Sequence, residues 1–300
     1  MFKIRFWGVR GSIPAPGPKT SKYGGNTLCI QIITDLGYQI VIDSGTGIRE
    51  LGNYLLKDDQ FAKPLNIHLF LTHTHWDHIN GFPFFTPIYV PKTSIAIYSP
   101  VVCDEESIKT VIEEQFKYRY FPVRITELNA EMSYNDIKES IDDPSNDIIL
   151  PGGMVVKTKY LNHPIACMGY RFEYEGKVFC TCYDHEPYWN LFAEDPDNKN
   201  YGQQVSDDQN NKILEFFKNS DLLVHDTQFT EREYKSRMGW GHSTFKHTIS
   251  QAMRSNVKNL ALFHYSPERE DFEIDHFGEL VKKFNNIKIF PSYEGQEIIL

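Results

Sequence analysis

Four side chains of the metal-binding type lie within six residues of this 300-residue chain, directly after an apolar segment. The apolar segment, residues 65–71, predicts a buried strand. The four side chains that follow it are His73, His75, Asp77 and His78. Strand ends often present functional groups, and a protein core rarely holds so many polar side chains. The pattern therefore predicts a metal site at the end of a strand, in preference to a tract of solvated histidines.

The spacing of these side chains predicts two neighbouring metals. In an extended stretch His73 and His75 lie on one side, and a helical turn that begins near Asp77 carries Asp77 and His78 towards another. Imidazole and carboxylate ligands without thiolate suit Zn, Mn, Fe or Co. We expect two divalent ions, with Zn as the first choice and the other three metals as alternatives.

Strand patterns dominate the chain, and helix patterns interrupt both halves. The predicted strands cover residues 3–7, 27–33, 38–42, 65–71, 94–98, 123–128, 154–161, 168–174, 177–183, 222–225, 260–263, 287–290 and 297–300. The predicted helices cover residues 48–56, 104–118, a stretch ending at 218, 244–255 and a stretch ending near 284. This alternation favours two packed sheets with helices outside. We expect one domain over residues 1–300, with surface insertions near 136–150 and 193–211.

Charge and composition disfavour several classes of function. The net charge is −9, so the surface as a whole repels phosphate backbones and disfavours long nucleic acids. No stretch approaches the ~18–20 apolar residues of a membrane span, and the chain does not start like a signal peptide. We expect a cytoplasmic protein. The cysteines are odd in number and scattered, which predicts reduced thiols, with Cys180 and Cys182 packed in the core.

Three motifs later in the chain complete the histidine pattern. His163 lies in Leu-Asn-His-Pro, Asp184 in Cys-Tyr-Asp-His and His264 in Leu-Phe-His-Tyr. Together with the HxHxDH run they resemble the metallo-β-lactamase superfamily over nearly the whole chain. Asp43 in Val-Ile-Asp-Ser-Gly matches the first motif of that family. The resemblance implies an α+β fold, the αββα sandwich of two packed mixed sheets with helices outside.

The resemblance also implies a role for each of these side chains. It implies seven metal ligands in two sets that share one carboxylate: His73, His75 and His163 for one metal, Asp77, His78 and His264 for the other, and Asp184 between them. Asp77 is expected to take part in catalysis as well. Asp43 is expected to support the site without binding metal.

Two segments near the end of the chain resemble the tRNase Z branch of the superfamily, in which a carboxylate and a histidine form a proton-donating dyad. They are residues 222–229, Leu-Leu-Val-His-Asp-Thr-Gln-Phe, and residues 239–244, Gly-Trp-Gly-His-Ser-Thr. Here the dyad would be Asp226 and His242, with Asp where that branch commonly has Glu. His242 would protonate the leaving alkoxide while Asp226 orients its ring. The alternative is structural, with Asp226 capping a turn and His242 capping a helix that begins near Ser243.

Other motifs resemble bacterial phosphodiesterases of the superfamily, including cyclic-nucleotide-degrading enzymes and anti-Pycsar proteins. They lie at residues 8–18, 23–27, 76–85 and 120–123. Arg10 and Ser12 in the first motif either meet substrate phosphate or form a structural loop. Four aromatic side chains are candidates for stacking on a base, with core packing as the alternative: Trp7, Trp76, Trp240 and Tyr265.

The remaining histidines are predicted to have lesser roles. His225 is predicted to pack, and His247 is predicted to face solvent. His68 lies within a predicted strand and His276 on a polar helix, while His185 is a candidate for supporting the site from behind.

The sequence therefore predicts a two-metal phosphodiesterase in which a metal-activated water attacks a cyclic mononucleotide. The tRNase Z branch holds tRNA with a basic, glycine-rich arm, and neither polar stretch of this chain is basic. The alternatives are a tRNA 3′-end endonuclease, a thioester or lactone hydrolase, and a non-catalytic nucleotide-binding module. The resemblance to the tRNase Z branch also implies a homodimer.

Overall fold

The computed structural model describes residues 1–57, 64–100 and 107–300, which build two seven-stranded sheets. The strands of the first sheet are β1 (Phe2–Gly8), β2 (Cys29–Thr34), β3 (Gln39–Ile42), β4 (Asn66–Phe70), β5 (Ser94–Pro100), β6 (Glu131–Ile137) and β14 (Glu297–Ile299). The strands of the second sheet are β7 (Ile148–Ile149), β8 (Val155–Leu161), β9 (Cys167–Tyr174), β10 (Lys177–Cys182), β11 (Leu222–Asp226), β12 (Asn259–Phe263) and β13 (Lys288–Pro291).

Both sheets are mixed. The first has the order β14-β1-β2-β3-β4-β5-β6, with antiparallel pairs from β14 to β3 and parallel pairs from β3 to β6. The second has the order β13-β12-β11-β10-β9-β8-β7, with parallel pairs from β13 to β10 and antiparallel pairs from β10 to β7.

The main core lies between the two sheets. Side chains alternate along β1, so Ile4 and Phe6 are buried in this core together with Tyr170 and Phe172 of β9. Phe70 of β4 meets Phe172 edge to face, with 5.3 Å between the ring centroids. Each such side chain contributes about 1.5–3 kcal/mol by leaving water.

Seven α-helices lie among the described residues: α1 (Gly47–Leu55), α2 (Trp76–Ile79), α3 (Ile108–Gln115), α4 (Lys199–Phe217), α5 (Glu231–Tyr234), α6 (Phe245–Arg254) and α7 (Asp271–Val281). A second core lies on the outer face of the first sheet, where Leu69 and Ile97 pack with Leu51 of α1 and Ile112 of α3. Helices therefore cover the sheets from outside, and the predicted α+β sandwich is confirmed.

One predicted strand is wrong. Residues 123–128 were expected to be extended because Val, Ile and Thr favour strands. The structure has a 3-10 helix at Ile125–Glu127 instead, and β6 begins only at Glu131. The Glu127 side chain accepts a hydrogen bond from the Arg124 backbone N–H, so a local capped turn overrides the β-propensity of these residues.

The two polar stretches contain regular structure. Residues 136–150 hold the end of β6, a 3-10 helix at Pro144–Asn146 and β7, and they connect the first sheet to the second. Residues 193–211 lead into α4, which begins at Lys199. The predicted helix 104–118 is shorter in the structure, because α3 begins after its cap Ser107, and residues 104–106 lie outside the described residues.

Four cysteines are buried as free thiols, which agrees with the prediction of core packing for Cys180 and Cys182. Cys103 lies outside the described residues. Within the described part of the chain, no helix has the length and apolar character needed to cross a membrane.

Candidate metal centre

The candidate ligands converge because the strands that precede them end at the same side of the molecule. Within each sheet the parallel strands bring their carboxyl ends together. The histidine run follows β4, Asp184 follows β10, and His264 follows β12. His163 follows β8, which runs in the same direction as β10 because both are antiparallel to β9.

The first predicted ligand set forms a close group of ring nitrogens. Nδ1 of His75 lies 3.0 Å from Nε2 of His73 and 3.0 Å from Nε2 of His163. Asp184 joins these three side chains in one metal-sized group, with all ligand atoms within 4.8 Å of one another. Ring nitrogens that face one another at this distance suit a shared cation.

The second predicted set lies on the other side of Asp184. Oδ2 of Asp77 is 3.4 Å from Nε2 of His78 and 3.4 Å from Nε2 of His264. Among the described residues, these two ring nitrogens are buried without a hydrogen-bond partner, and so is Oδ1 of Asp184. Buried polar atoms without partners are costly, and a bound divalent cation would satisfy all three. The residues present therefore fit two metal ions.

Asp184 turns one carboxylate oxygen towards each set. Its Oδ1 lies 3.2 Å from Nε2 of His78 and 3.1 Å from Nε2 of His264. Its Oδ2 lies 3.5 Å from Nε2 of His73 and 3.7 Å from Nε2 of His163. A single carboxylate between two clusters of imidazoles is the geometry of a bridging ligand.

Hydrogen bonds behind the cluster fix the rings. Oδ2 of Asp43 lies 2.7 Å from Nδ1 of His78, while its Oδ1 accepts the backbone N–H of Thr72 at 2.7 Å. Nδ1 of His163 donates to the carbonyl of Gly241 at 3.0 Å. Such partners orient the rings and leave the opposite nitrogens free for a metal. Asp43 therefore lies where the resemblance implies, behind the cluster.

The protonation states also suit metal binding. Burial lowers the pKa of His73 well below its ordinary value and that of His163 to about 4, so both rings are neutral at pH 7. Burial opposes ionisation of Asp184, but the imidazoles of His264 and His78 hold its pKa well below the usual range. Burial would lower the pKa of His264, but the facing carboxylates outweigh it and raise this pKa to about 10. Protons would leave this side as a metal binds.

The predicted dyad lies beside the cluster. Oδ2 of Asp226 is 3.0 Å from Nδ1 of His242, and the ring of His242 stacks on that of His264 with 4.9 Å between centroids. Asp226 is fully buried, and it also accepts the backbone N–H groups of Gln228 and Ser243. These bonds hold the shorter acid within reach of His242. The cap of α6 is Thr244, so the helix-capping interpretation of His242 is wrong.

Comparison with known proteins supports the resemblance. No family model matches the chain. The chain is 23% identical to ribonuclease Z of Bacillus cereus strain ATCC 14579, over 95% of each protein. Its fold is similar to that of YhfI from Bacillus subtilis, a metallo-β-lactamase fold protein, with a TM-score of 0.65 and 16% identity over 99% of this chain and 98% of YhfI. The chain has the metallo-β-lactamase fold and is similar in sequence to ribonuclease Z over nearly its whole length.

Two further structures have similar folds. The short form of human tRNase Z has a TM-score of 0.64 at 18% identity, over 99% of this chain and 98% of that one. A diphosphatase from the PhnP family has a TM-score of 0.64 at 17% identity, over 100% of this chain and 98% of that one. The predicted likeness to the tRNase Z-like branch is confirmed. Because these relatives differ in name, the metallo-β-lactamase fold alone does not select a substrate.

Several candidates for substrate contact are core residues of this protein. Arg10 is fully buried, and it donates hydrogen bonds to the carbonyls of Gly24 and Arg269. Trp7 is 8% exposed and Tyr265 is 1% exposed, so neither can stack on a ligand. The structural alternatives therefore hold for these three residues, because tertiary contacts distant in sequence bury the side chains.

Other predicted residues lie at the surface of the site. Trp76 is 69% exposed and Trp240 is 59% exposed. The backbone N–H of Ser12 donates to Oδ2 of Asp77 at 2.7 Å, and its hydroxyl accepts from Nε2 of Gln228 at 3.1 Å. Ser12 thus orients a candidate ligand.

The remaining histidines divide as follows. His225 is buried and bonded to Oε1 of Gln251, as predicted. The prediction that His247 faces solvent is wrong, since its Nε2 is buried. His185 is buried directly behind the site, where its backbone N–H donates to Asp226 at 3.4 Å.

Two supporting residues were not predicted. Sγ of Cys167 lies 3.7 Å from Nδ1 of His73, on the buried side of the cluster. Glu186 is 3% exposed and accepts several hydrogen bonds from the loop that precedes His242. Cys167 gives no signal in the sequence. Glu186 lies two residues after Asp184, and this spacing is the one feature of the sequence that could have indicated its supporting role.

Two cavities open beside the cluster. The larger, about 670 Å³, is lined by Thr74 and Trp76 of the histidine run together with Phe84, Tyr120 and Phe121. The smaller, about 290 Å³, is lined by residues that include His163, Glu186 and Trp189. Among the described residues that line them, neither cavity has a Lys or an Arg.

Proposed function

We propose that this protein is a two-metal phosphodiesterase that hydrolyses cyclic mononucleotides. The observation that carries the proposal is the position of the dyad. His242 contacts Asp226 through Nδ1 and lies against the ligand set that contains His264. A proton donor beside a two-metal site suits a reaction that releases an alkoxide, as phosphodiester hydrolysis does.

Each part of the site has a role in this reaction. When bound, the two metal ions would lower the pKa of a water and neutralise charge on the phosphate. Asp184 holds the two ligand sets together. His242 presents its Nε2 to the leaving oxygen and gives it a proton. Asp226 fixes the orientation of the His242 ring through Nδ1.

The larger cavity supports a nucleotide as substrate. Its aromatic lining offers faces for a nucleobase, and Trp76 lies between His75 and Asp77, so a base held there is close to the cluster. Stacking of a base on an aromatic side chain contributes about 1–3 kcal/mol. We propose that the base of the cyclic nucleotide occupies this cavity while its phosphate faces the metals.

A tRNA 3′-end endonuclease is the second candidate function. It is favoured by the similarity to ribonuclease Z along 95% of the chain. The net charge of −9 and the absence of Lys and Arg from the described cavity linings argue for a small substrate instead.

Turnover of a substrate panel tests the proposal. Metal-loaded protein is assayed with 3′,5′- and 2′,3′-cyclic nucleotides, a precursor tRNA and a thioester. We expect at least one cyclic nucleotide to be opened, and His242→Ala to lower kcat by about 100-fold or more. His276→Ala, which removes an exposed histidine of α7, is the matched control. Hydrolysis of none of the cyclic nucleotides refutes the proposal, and cleavage of the tRNA alone favours the second candidate.

Metal identity and assembly belong to the same proposal. We propose two Zn²⁺ ions and a homodimer. Elemental analysis of the active protein and its mass in solution test these points, and a monomer with one equivalent of metal and full activity would contradict both.

A further inference from the structure

A buried carboxylate outside the predicted metal cluster holds the loop that carries His242. Glu186 is 3% exposed and follows the candidate bridging ligand Asp184 by two residues. Its oxygens accept hydrogen bonds from a set of donors: the backbone N–H of Gly241 at 2.8 Å, that of Gly239 at 2.8 and 3.0 Å, the indole of Trp189 at 3.4 Å and the hydroxyl of Tyr234. Several hydrogen bonds to one buried side chain therefore hold this loop in place.

The loop held by Glu186 contacts two functional side chains. The carbonyl of Gly241 accepts the Nδ1–H of His163 at 3.0 Å, which leaves Nε2 of that ring free to face the metal set. The next residue in the chain is His242, whose ring reaches Asp226. One turn of backbone therefore orients both a candidate ligand and the candidate proton donor.

Glu186 is itself anchored to the elements that carry the ligands. Its backbone N–H donates to the carbonyl of Asn162 at 2.9 Å, next to His163. The backbone N–H of Asn162 donates in turn to Nδ1 of His185 at 3.1 Å. The carboxylate thus connects the loops after β8 and β10 to the loop before α6.

The environment of Glu186 keeps its donors in place. Burial, together with the bond to Glu186, raises the pKa of Tyr234, so that hydroxyl remains a donor at ordinary pH. Two backbone N–H groups, a hydroxyl and an indole supply hydrogen-bond donors to the oxygens of this buried side chain.

We propose that Glu186 is a positioning residue that sets the orientation of His163 and His242 through the backbone of residues 239–241. The part of this inference that concerns catalysis rests on the proposed function. The part that concerns ring orientation is independent of any substrate.

Ring resonances test the orientation directly. Protein labelled with ¹⁵N at histidine is compared as wild type, as Glu186→Gln and as a matched control, Asp221→Asn. Asp221 is also a buried carboxylate, and it accepts the backbone N–H of Val178 at 2.8 Å. It directly precedes the first residue of β11, whereas Asp226 of the dyad is the last residue of that strand.

We expect Glu186→Gln to shift the ring signals of His163 and His242, assigned from single alanine variants, and to leave those of His68 and His276 in place. Asp221→Asn shifts none of the four. Superimposable His163 and His242 signals in Glu186→Gln would overturn the inference. Should Glu186→Gln fail to fold, Glu186→Asp replaces it, because aspartate keeps the carboxylate and shortens its reach. Shifted ring signals of His163 and His242 would then support the inference, and superimposable signals would overturn it.

Two substrates that differ in their leaving group distinguish a loss of His242 positioning from a general loss of activity. A cyclic nucleotide releases an alkoxide that needs a proton, whereas bis(p-nitrophenyl) phosphate releases a stable phenolate. We expect Glu186→Gln to lower kcat at least about 10-fold on the first and less than about 3-fold on the second. Equal losses on both would count against positioning of His242. If the wild type opens no cyclic nucleotide, the proposed function fails while the ring resonances still decide the role of Glu186.

Discussion

Asp43 and His78 are joined behind the cluster by a contact of 2.7 Å between Oδ2 and Nδ1. The backbone N–H and the hydroxyl of Thr72 hold the same carboxylate, so the ring of His78 is fixed with Nε2 towards Asp184. Asp43→Asn removes the charge and gives His78 a second possible hydrogen-bonding arrangement. We expect metal affinity to fall about 10- to 100-fold.

Competition with a chromogenic chelator measures this change, and Asp221→Asn is again the control, because Asp221 lies away from the cluster. Equal affinity in Asp43→Asn and wild type would show that His78 is oriented without Asp43.

The sequence predicted the ligand-type side chains well because chemical type and order along the chain carry that information. His73, His75, Asp77 and His78 are adjacent in sequence, so local spacing alone indicated a metal site. Placing His163 with them depended on the family resemblance. His163 contacts His75 although 88 residues separate the two in sequence, and no local pattern predicts a contact over that separation.

The failures have a common physical cause. Arg10 lies in a glycine-containing loop, and its sequence context left a phosphate contact and a structural role equally open, whereas in the structure it bonds a carbonyl 259 residues away and is buried. Glu186 looked like an ordinary polar residue, because the N–H groups that satisfy it come from Gly239 and Gly241, some 50 residues later. Residue type predicted chemistry here, but burial depends on tertiary contacts that residue type does not reveal.

The larger cavity predicts a difference between two exposed tryptophans. Trp76 lines this cavity, whereas Trp240 is similarly exposed and lines neither of the described cavities. We expect Trp76→Ala to raise KM for a cyclic nucleotide by about 5- to 150-fold with little change in kcat, since about 1–3 kcal/mol of stacking is lost. Trp240→Ala should leave both constants near wild type. Steady-state kinetics with metal content checked on each sample decide this, and equal KM values for the two variants would refute a base site at Trp76.

Acid stability should depend on His247. Burial, with the nearby His225 and Arg254, lowers its pKa to about 3, against about 6.5 for a histidine in an unfolded chain. Between these two values the unfolded chain binds a proton that the folded protein does not. Its contribution to stability is therefore present above pH 6.5 and is lost as the pH falls towards 3.

The melting temperature of wild type should fall between pH 7.5 and pH 4.5. We expect the fall for His247→Leu over the same range to be smaller by a few °C. His276→Leu makes the same change at an exposed position of α7 and should follow the wild-type curve. Parallel curves for His247→Leu and wild type would mean that His247 takes up its proton in the folded protein as readily as in the unfolded chain.

Two glycines of the loop before His242 form a matched pair. Gly239 and Gly241 have φ angles of +86° and +83°, so alanine at either position costs about 1–2 kcal/mol in backbone strain. Their surroundings differ. A Cβ on Gly241 would lie 2.2 Å from Nδ1 of His163, whereas a Cβ on Gly239 would meet nothing within 4 Å.

Gly239→Ala should therefore lower the melting temperature modestly and keep wild-type metal affinity. Gly241→Ala should show the same backbone cost and, in addition, push His163 out of position and weaken metal binding about 10-fold or more. Because the backbone strain is shared, the difference between the variants isolates the contact with His163. Chelator competition on both proteins measures it, and equal affinities would show that His163 adjusts its ring without loss or does not bind the metal.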